Sequence, residues 1–137
     1  MTQVLSGELN IAVYYEDTDF SGFVYHANYL KFFERAREEL FGREHLRNMF
    51  LQGRHFVAKD AHLDFHRPAR HGDMIRVHTR IDFDHAVFVK CHHTAYRLEG
   101  GEKLVTGLLH LVTVNERGFP IRVPQEFLPS SLNPNEG

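Results

Sequence analysis

Hydrophobic and polar positions alternate with period two along most of the chain and change to a helical period once. Residues 9–15 read Leu-Asn-Ile-Ala-Val-Tyr-Tyr, where Leu9, Ile11, Val13 and Tyr15 alternate with Asn10, Ala12 and Tyr14. That alternation predicts a half-buried strand. Glu16-Asp17-Thr18-Asp19-Phe20-Ser21-Gly22 follows, acidic and turn-forming, and predicts a loop. Between about His26 and Gly42 the spacing becomes helical: Tyr29, Phe33, Ala36 and Leu40 share a face that Phe32 widens. Lys31, Glu34, Arg35, Glu38 and Glu39 occupy the other side, and Gly42 is placed to end the helix. Residues 44–52 predict a weaker turn or short helix.

Period two returns after Gly53. Val57, Ala61, Leu63 and Phe65 fall on one parity of residues 55–66, with Asp60, His62, Asp64 and His66 on the other. Pro68 and Gly72 mark a turn. Ile75, Val77, Thr79, Ile81 and Phe83 then give the clearest strand in the chain. Residues 86–98 and 103–115 predict two more strands, joined by the hairpin signal Glu99-Gly100-Gly101-Glu102, and Phe119-Pro120 opens a closing segment. The order is strand, one long helix, then four strands with short connections. Short connections force antiparallel neighbours. The predicted class is α+β, a five-stranded antiparallel sheet with the long helix on one face. One helix leaves a face or an edge of such a sheet uncovered, so pairing with a second copy, at least a homodimer, is expected.

Composition narrows the picture. The 137 residues suit one domain, expected over residues 1–128, with the polar, turn-rich residues 129–137 as a flexible tail. Sixteen Lys and Arg against 18 Asp and Glu leave a formal charge of -2, which argues against wrapping a polyanion, and no nucleic acid partner is expected. Apolar runs are far shorter than the ~20 residues that cross a bilayer, so no membrane insertion is expected. The first residues lack a basic and then apolar leader, and the single Cys91 cannot form an intrachain disulfide. Both features point to a cytoplasmic, reducing location. Eleven histidines raise a metal hypothesis, with His62, Asp64 and His66 on one strand parity and His92-His93 adjacent. No ligand signature such as His-Glu-x-x-His accompanies them, so neither a metal site nor any other cofactor is expected. Cys91 reads as a small buried apolar residue.

The chemistry concentrates between Tyr15 and Arg37. Glu16, Asp17 and Asp19 crowd a loop that leads into a helix N-terminus. The first amides of a helix have no internal partners and carry partial positive charge, so they can stabilise an oxyanion. Asp19 lies a short loop upstream, and Gly22 lets the backbone turn tightly. A carboxylate facing such amides is a minimal set for acyl transfer. Acidic residues at helix entrances usually serve as caps, and on these grounds alone the capping reading of Asp17 or Asp19 is favoured over the catalytic one.

The segment as a whole resembles the 4-hydroxybenzoyl-CoA thioesterase family of hotdog-fold acyl-CoA thioesterases, and within it the YbgC type. The resemblance rests on Asp17-Thr18-Asp19, then Gly22, then Val24-Tyr25-His26-Ala27-Asn28-Tyr29, then Phe32-Phe33-Glu34-Arg35-Ala36-Arg37. Arg67-Pro68-Ala69 followed by Gly72-Asp73 fits more loosely. The resemblance implies a hotdog fold, with the sheet wrapped around the long helix, and an active site at a subunit interface in a homodimer or homotetramer. It implies hydrolysis of acyl-CoA, or of an acyl carrier protein thioester, with coenzyme A as part of the substrate and no separate cofactor. Asp19 takes the place of the catalytic carboxylate and His26 that of the oxyanion-donating backbone amide. Tyr15, Gly22, Tyr25 and Asn28 are the candidate substrate-binding residues. Two departures stand out. Phe20 and Ser21 replace the small residues common after the carboxylate, and Asp82-Phe83-Asp84-His85-Ala86-Val87 lacks the cations that grip nucleotide phosphates in some relatives. A non-catalytic hotdog module that binds an acyl thioester or a protein partner is the alternative.

Overall fold

The structure, a computed structural model, describes residues 3–128. Five strands form one antiparallel sheet: β1 (Val4–Ala12), β2 (Arg54–Phe65), β3 (Met74–Asp82), β4 (Phe88–Arg97) and β5 (Lys103–Asn115), in the order β1-β3-β4-β5-β2. The expected α+β class is thus present. Two helices accompany the sheet, α1 (Asn28–Phe41) and α2 (Arg43–Leu51), hinged at Gly42. The predicted weak helix is therefore a full element, and α1 is the long one that packs on the sheet. The tail at 129–137 lies outside the described residues.

The seat for α1 is written across the sheet in one row. Register places Gly7 beside Thr79, Thr79 beside His93, His93 beside Gly107 and Gly107 beside Leu63. The two glycines bracket a trough. A Cβ on Gly107 would lie 2.6 Å from the Phe33 ring, and one on Gly7 would lie 3.0 Å from Leu40. Missing side chains let the helix approach, and Phe32 and Phe33 become fully buried. Each such burial contributes roughly 1.5–3 kcal/mol. Ile75, Val77, Ile81, Val89, Cys91 and Val105 complete the core on the alternate positions that period two predicts. Burial pushes the Cys91 thiol up to about 12, which leaves it inert as a nucleophile.

His93 also points into this core, a placement that adjacency to His92 did not reveal. It stacks flat on Phe33 at 4.6 Å, receives Arg37 at 3.1 Å on Nε2 and meets Thr79 at 2.9 Å on Nδ1. Burial, with Arg37 and His92 nearby, lowers its pKa to about 3, so the ring is neutral.

Two strand expectations are corrected. β1 begins at Val4 because Val4 to Ala12 pair in register with Asp82 to Met74, and Tyr15 has left the strand for a 3-10 turn. In β2 the register shifts between Ala58 and Asp60, a bulge that swaps parity at Lys59. Phe56 therefore turns inward, stacking on Phe41 at 5.1 Å, while Val57 is left exposed. Ala61 and Leu63 keep the inward side.

Candidate active site

The loop from Val13 to Ala27 is held from behind. Its Val13 amide bonds Asp73 O at 2.9 Å, and its Val24 amide bonds Ala69 O at 2.9 Å. Phe23 pairs with Arg70 in an isolated bridge and lies under the Arg70 guanidinium. The Arg67-Pro68-Ala69 and Gly72-Asp73 signature thus serves as a brace. Arg97 braces it in turn, donating to Pro68 O at 2.7 Å and pairing with Asp73 and Glu102. Sequence reasoning did not find Arg97, because only strand pairing brings β4 to this turn.

Asp17 and Asp19, two residues apart, have different surroundings. Asp17 is buried, accepting the Tyr14 amide at 2.9 Å on one oxygen and Asn28 Nδ2 at 2.8 Å on the other. It fastens the end of β1 to the start of α1. Asp19 is exposed, with Oδ1 accepting the Ser21 amide at 2.8 Å and the Ser21 hydroxyl at 2.5 Å. Those two bonds from Ser21 hold its carboxyl below the usual carboxylate range, and His26 adds a smaller pull in the same direction. The group is ionised at neutral pH.

Helix α1 begins at Asn28 rather than His26, with Ala27 as a cap residue that supplies no side-chain bond. Among the described residues, neither the His26 nor the Ala27 amide donates to a protein acceptor. These are free donors at the positive end of a 14-residue helix. The His26 ring packs against Tyr25 at 4.6 Å and edge-on to Phe65 of β2 at 6.3 Å. Tyr25 and Phe65 are themselves half exposed, at 43% and 53%.

The loop sets Asp19 within electrostatic reach of His26, and Tyr25 packs on the His26 ring. Gly22 sits at φ +82°, a left-handed turn that favours glycine. Asn28 turns its side chain to Asp17. Tyr15 is set apart, 78% exposed and edge-on to His71 at 6.0 Å. Tyr29, buried next to the loop, is pushed up to about 12 by burial, and its hydroxyl has no partner among the described residues. A cavity of about 490 Å³ opens further along α1, between both helices and strands β2 and β5, lined by Leu30, Phe41, Leu46, Met49, Phe56 and Leu109 among others. No group of three or more His, Cys, Asp or Glu among the described residues is placed to hold a metal. His62 meets Asp64 at 3.4 Å, and His66 turns to Thr106.

The family model of the thioesterase-like superfamily matches residues 13–129, a span that takes in the loop, both helices and four of the five strands. The chain belongs to the thioesterase-like superfamily. Among its relatives, the acyl-CoA thioesterase YbgC of Helicobacter pylori is 35% identical over 123 residues, covering 84% of this chain and 92% of that protein. The acyl-CoA thioester hydrolase YbgC of Escherichia coli O157:H7 is 41% identical over 73 residues, 52% of this chain and 54% of that one. A probable thioesterase from Bartonella henselae superposes with a TM-score of 0.72 at 34% identity, covering 88% of this chain and 99% of its own. The 1,4-dihydroxy-2-naphthoyl-CoA thioesterase from Synechocystis shares the fold over 98% of both chains, with a TM-score of 0.84 at 24% identity. The architecture of this thioesterase-like chain is thus the hotdog fold, and its sequence is YbgC-like.

Proposed function

We propose that the chain hydrolyses acyl-CoA thioesters to a free carboxylic acid and coenzyme A, with Asp19 as the catalytic carboxylate and the His26 backbone amide as oxyanion donor. One observation carries this reading. The loop that leaves Asp19 ionised and exposed also ends on unbonded amides at the mouth of α1. Asp19 acting as a base takes a proton from water, and the hydroxide attacks the thioester carbonyl. The carbonyl oxygen becomes an oxyanion stabilised by the helix end. Collapse of that intermediate breaks the C–S bond, and the thiolate leaves and takes up the proton. Acting as a nucleophile, Asp19 attacks the carbonyl and expels the thiolate, giving a mixed anhydride. Water opens it to the free acid and the restored carboxylate, with the released proton going to the thiolate. Water and these residues supply every atom of either scheme, so no metal or redox cofactor is drawn into it.

In this reading Tyr25 and Gly22 shape the entrance to the site and Asn28 supports it through Asp17, whereas Tyr15 stands apart beside His71. The cavity along α1, whose apolar lining is joined by Lys31, Glu34, Arg37, Glu38 and His55, is the place we assign to the acyl group. Arg54 is engaged by Gln52 and Glu126, whereas Arg70 flanks the loop and is the better cation for a coenzyme A phosphate.

The working unit in this reading is a homodimer, itself able to pair into a homotetramer. Strand β2 is an edge strand of 12 residues, and Val57 and Phe65 expose 40% and 53% of their surfaces there. An open edge of that length, in which exposed Lys59, Asp60, His62 and Asp64 are interspersed with these apolar positions, can take a partner strand. The dimer places the loop at a subunit boundary.

The test is a panel of acyl-CoA and acyl carrier protein thioesters with thiol release as readout, run on the wild type and Asp19→Asn. Turnover that the substitution abolishes, with acyl-CoA binding retained, is the expected result. Wild-type turnover by Asp19→Asn at unchanged affinity overturns the assignment. Binding without turnover by the wild type marks a non-catalytic module.

A further inference from the structure

We propose that Ser21 is a positioning residue that commits one oxygen of the Asp19 carboxylate, leaving Oδ2 as the atom that reacts. The inference rests on the catalytic role proposed for Asp19. Oδ1 accepts both the Ser21 amide, at 2.8 Å, and the Ser21 hydroxyl, at 2.5 Å. A carboxylate oxygen has two lone pairs, so Oδ1 is saturated. Nothing among the described residues bonds to Oδ2.

The direction of the serine hydroxyl is set from the other side. The Phe23 amide donates to Ser21 Oγ at 3.3 Å, so the hydroxyl proton is the one that points to Asp19. The backbone holds the same geometry. Asp19 N–H donates to Phe23 O and Gly22 N–H to Asp19 O, each at 3.0 Å, and Gly22 closes the turn at φ +82°. Rotating the carboxylate would break both bonds from Ser21. Phe20, between the two residues, is turned fully to solvent by this arrangement.

Two consequences follow for the reaction. A fixed carboxylate loses less freedom on reaching the reactive geometry, a gain that appears in kcat rather than in KM. The Ser21 bonds also favour the charged form, so Asp19 stays ionised at lower pH than it would without them. Among titratable neighbours, His26 faces Asp19 from the helix entrance and acts in the same direction, while the Asp17 carboxylate is occupied by Tyr14 and Asn28.

The test compares Ser21→Ala, Ser21→Thr and Asp19→Asn on the full-length chain with the best acyl-CoA of the panel. Ser21→Ala is expected to lower kcat by about 10-fold, the scale of one hydrogen bond to a charged group, with KM unchanged. The acid limb of its kcat/KM profile moves to higher pH. Ser21→Thr, which keeps the hydroxyl, restores both. Ser21 is exposed, so folding is not at stake. An unchanged kcat and acid limb in Ser21→Ala, with Asp19→Asn inactive, overturns the positioning role and leaves the function standing. An active Asp19→Asn overturns both.

Discussion

Two regions along α1 handle polar groups in opposite ways. Beneath its middle, Arg37, His93 and Thr79 are 8%, 1% and 1% exposed and bond to one another between aromatic rings. In the loop at its N-terminal end, Asp19 is exposed and, among the described residues, bonded on one oxygen, and the His26 and Ala27 amides have no protein acceptor there. The buried cluster uses both His93 nitrogens and the Thr79 hydroxyl internally, and Arg37 gives one donor to His93 while lining the cavity along α1. The loop keeps unspent donors and acceptors facing outward, as chemistry requires. Strong perturbation of a pKa is not the distinguishing mark, because a large lowering belongs to the buried His93, which packs in the core. Asp17 shows the same contrast inside the loop. It has the residue type of Asp19, but both its oxygens are used to hold the backbone.

The sharpest way to break this contrast is to neutralise the exposed carboxylate. Asp19→Asn is expected to reduce kcat by about 1,000-fold, roughly 4 kcal/mol of barrier, while thermal unfolding is unchanged. A comparable loss of activity from Arg37→Met would show that the buried cluster also takes part in turnover. Next in size is the packing beneath the helix. Gly107→Ala places a methyl 2.6 Å from the buried Phe33 ring and is expected to cost about 3 kcal/mol in urea unfolding.

Acid tests the buried region from another side. The folded chain keeps His93 neutral down to about 3, whereas the unfolded chain protonates it below its ordinary value of 6.5. The unfolded state then binds more protons, so this contribution is intact above pH 6.5 and is lost progressively as pH falls towards 3. At pH 5 the loss is about 2 kcal/mol, read as a fall in denaturation midpoint. In His93→Gln that part of the pH dependence disappears; a midpoint that falls as before would place the titration in other histidines. Smallest is the effect of Asp17→Ala, which orphans the Tyr14 amide and the Asn28 side chain. It is expected to cost about 1–2 kcal/mol of stability and to weaken kcat without abolishing it.

Much of this molecule was legible in the residues. The 3.6 period from Tyr29 to Phe41 and the alternation from Ile75 to Phe83 mark local geometry that any burial on one face imposes. The loop motif with Asp19, Gly22 and His26 was likewise legible, since its spacing is carried within a few consecutive residues. Other features were hidden for physical reasons. The β2 bulge at Lys59 depends on register against β5, which period two in a single strand does not encode. The start of β1 at Val4 was masked by Ser6 and Gly7, and the missing side chain of Gly7 makes sense only opposite Leu40 of α1.

By itself, then, the sequence determined most of the elements, the antiparallel class and the identity of the loop, because these follow from periodicity, turn chemistry and short-range spacing. It did not determine the strand order, in which β2 pairs with β5 rather than with its sequence neighbour β3. Tertiary structure alone decided which of two neighbouring aspartates is buried, which of eleven histidines enters the core, and that Arg97 braces the loop from a distant strand. Those outcomes depend on which atoms meet across the sheet and under the helix. Desolvation and hydrogen bonding act on those meetings, and linear spacing does not record them.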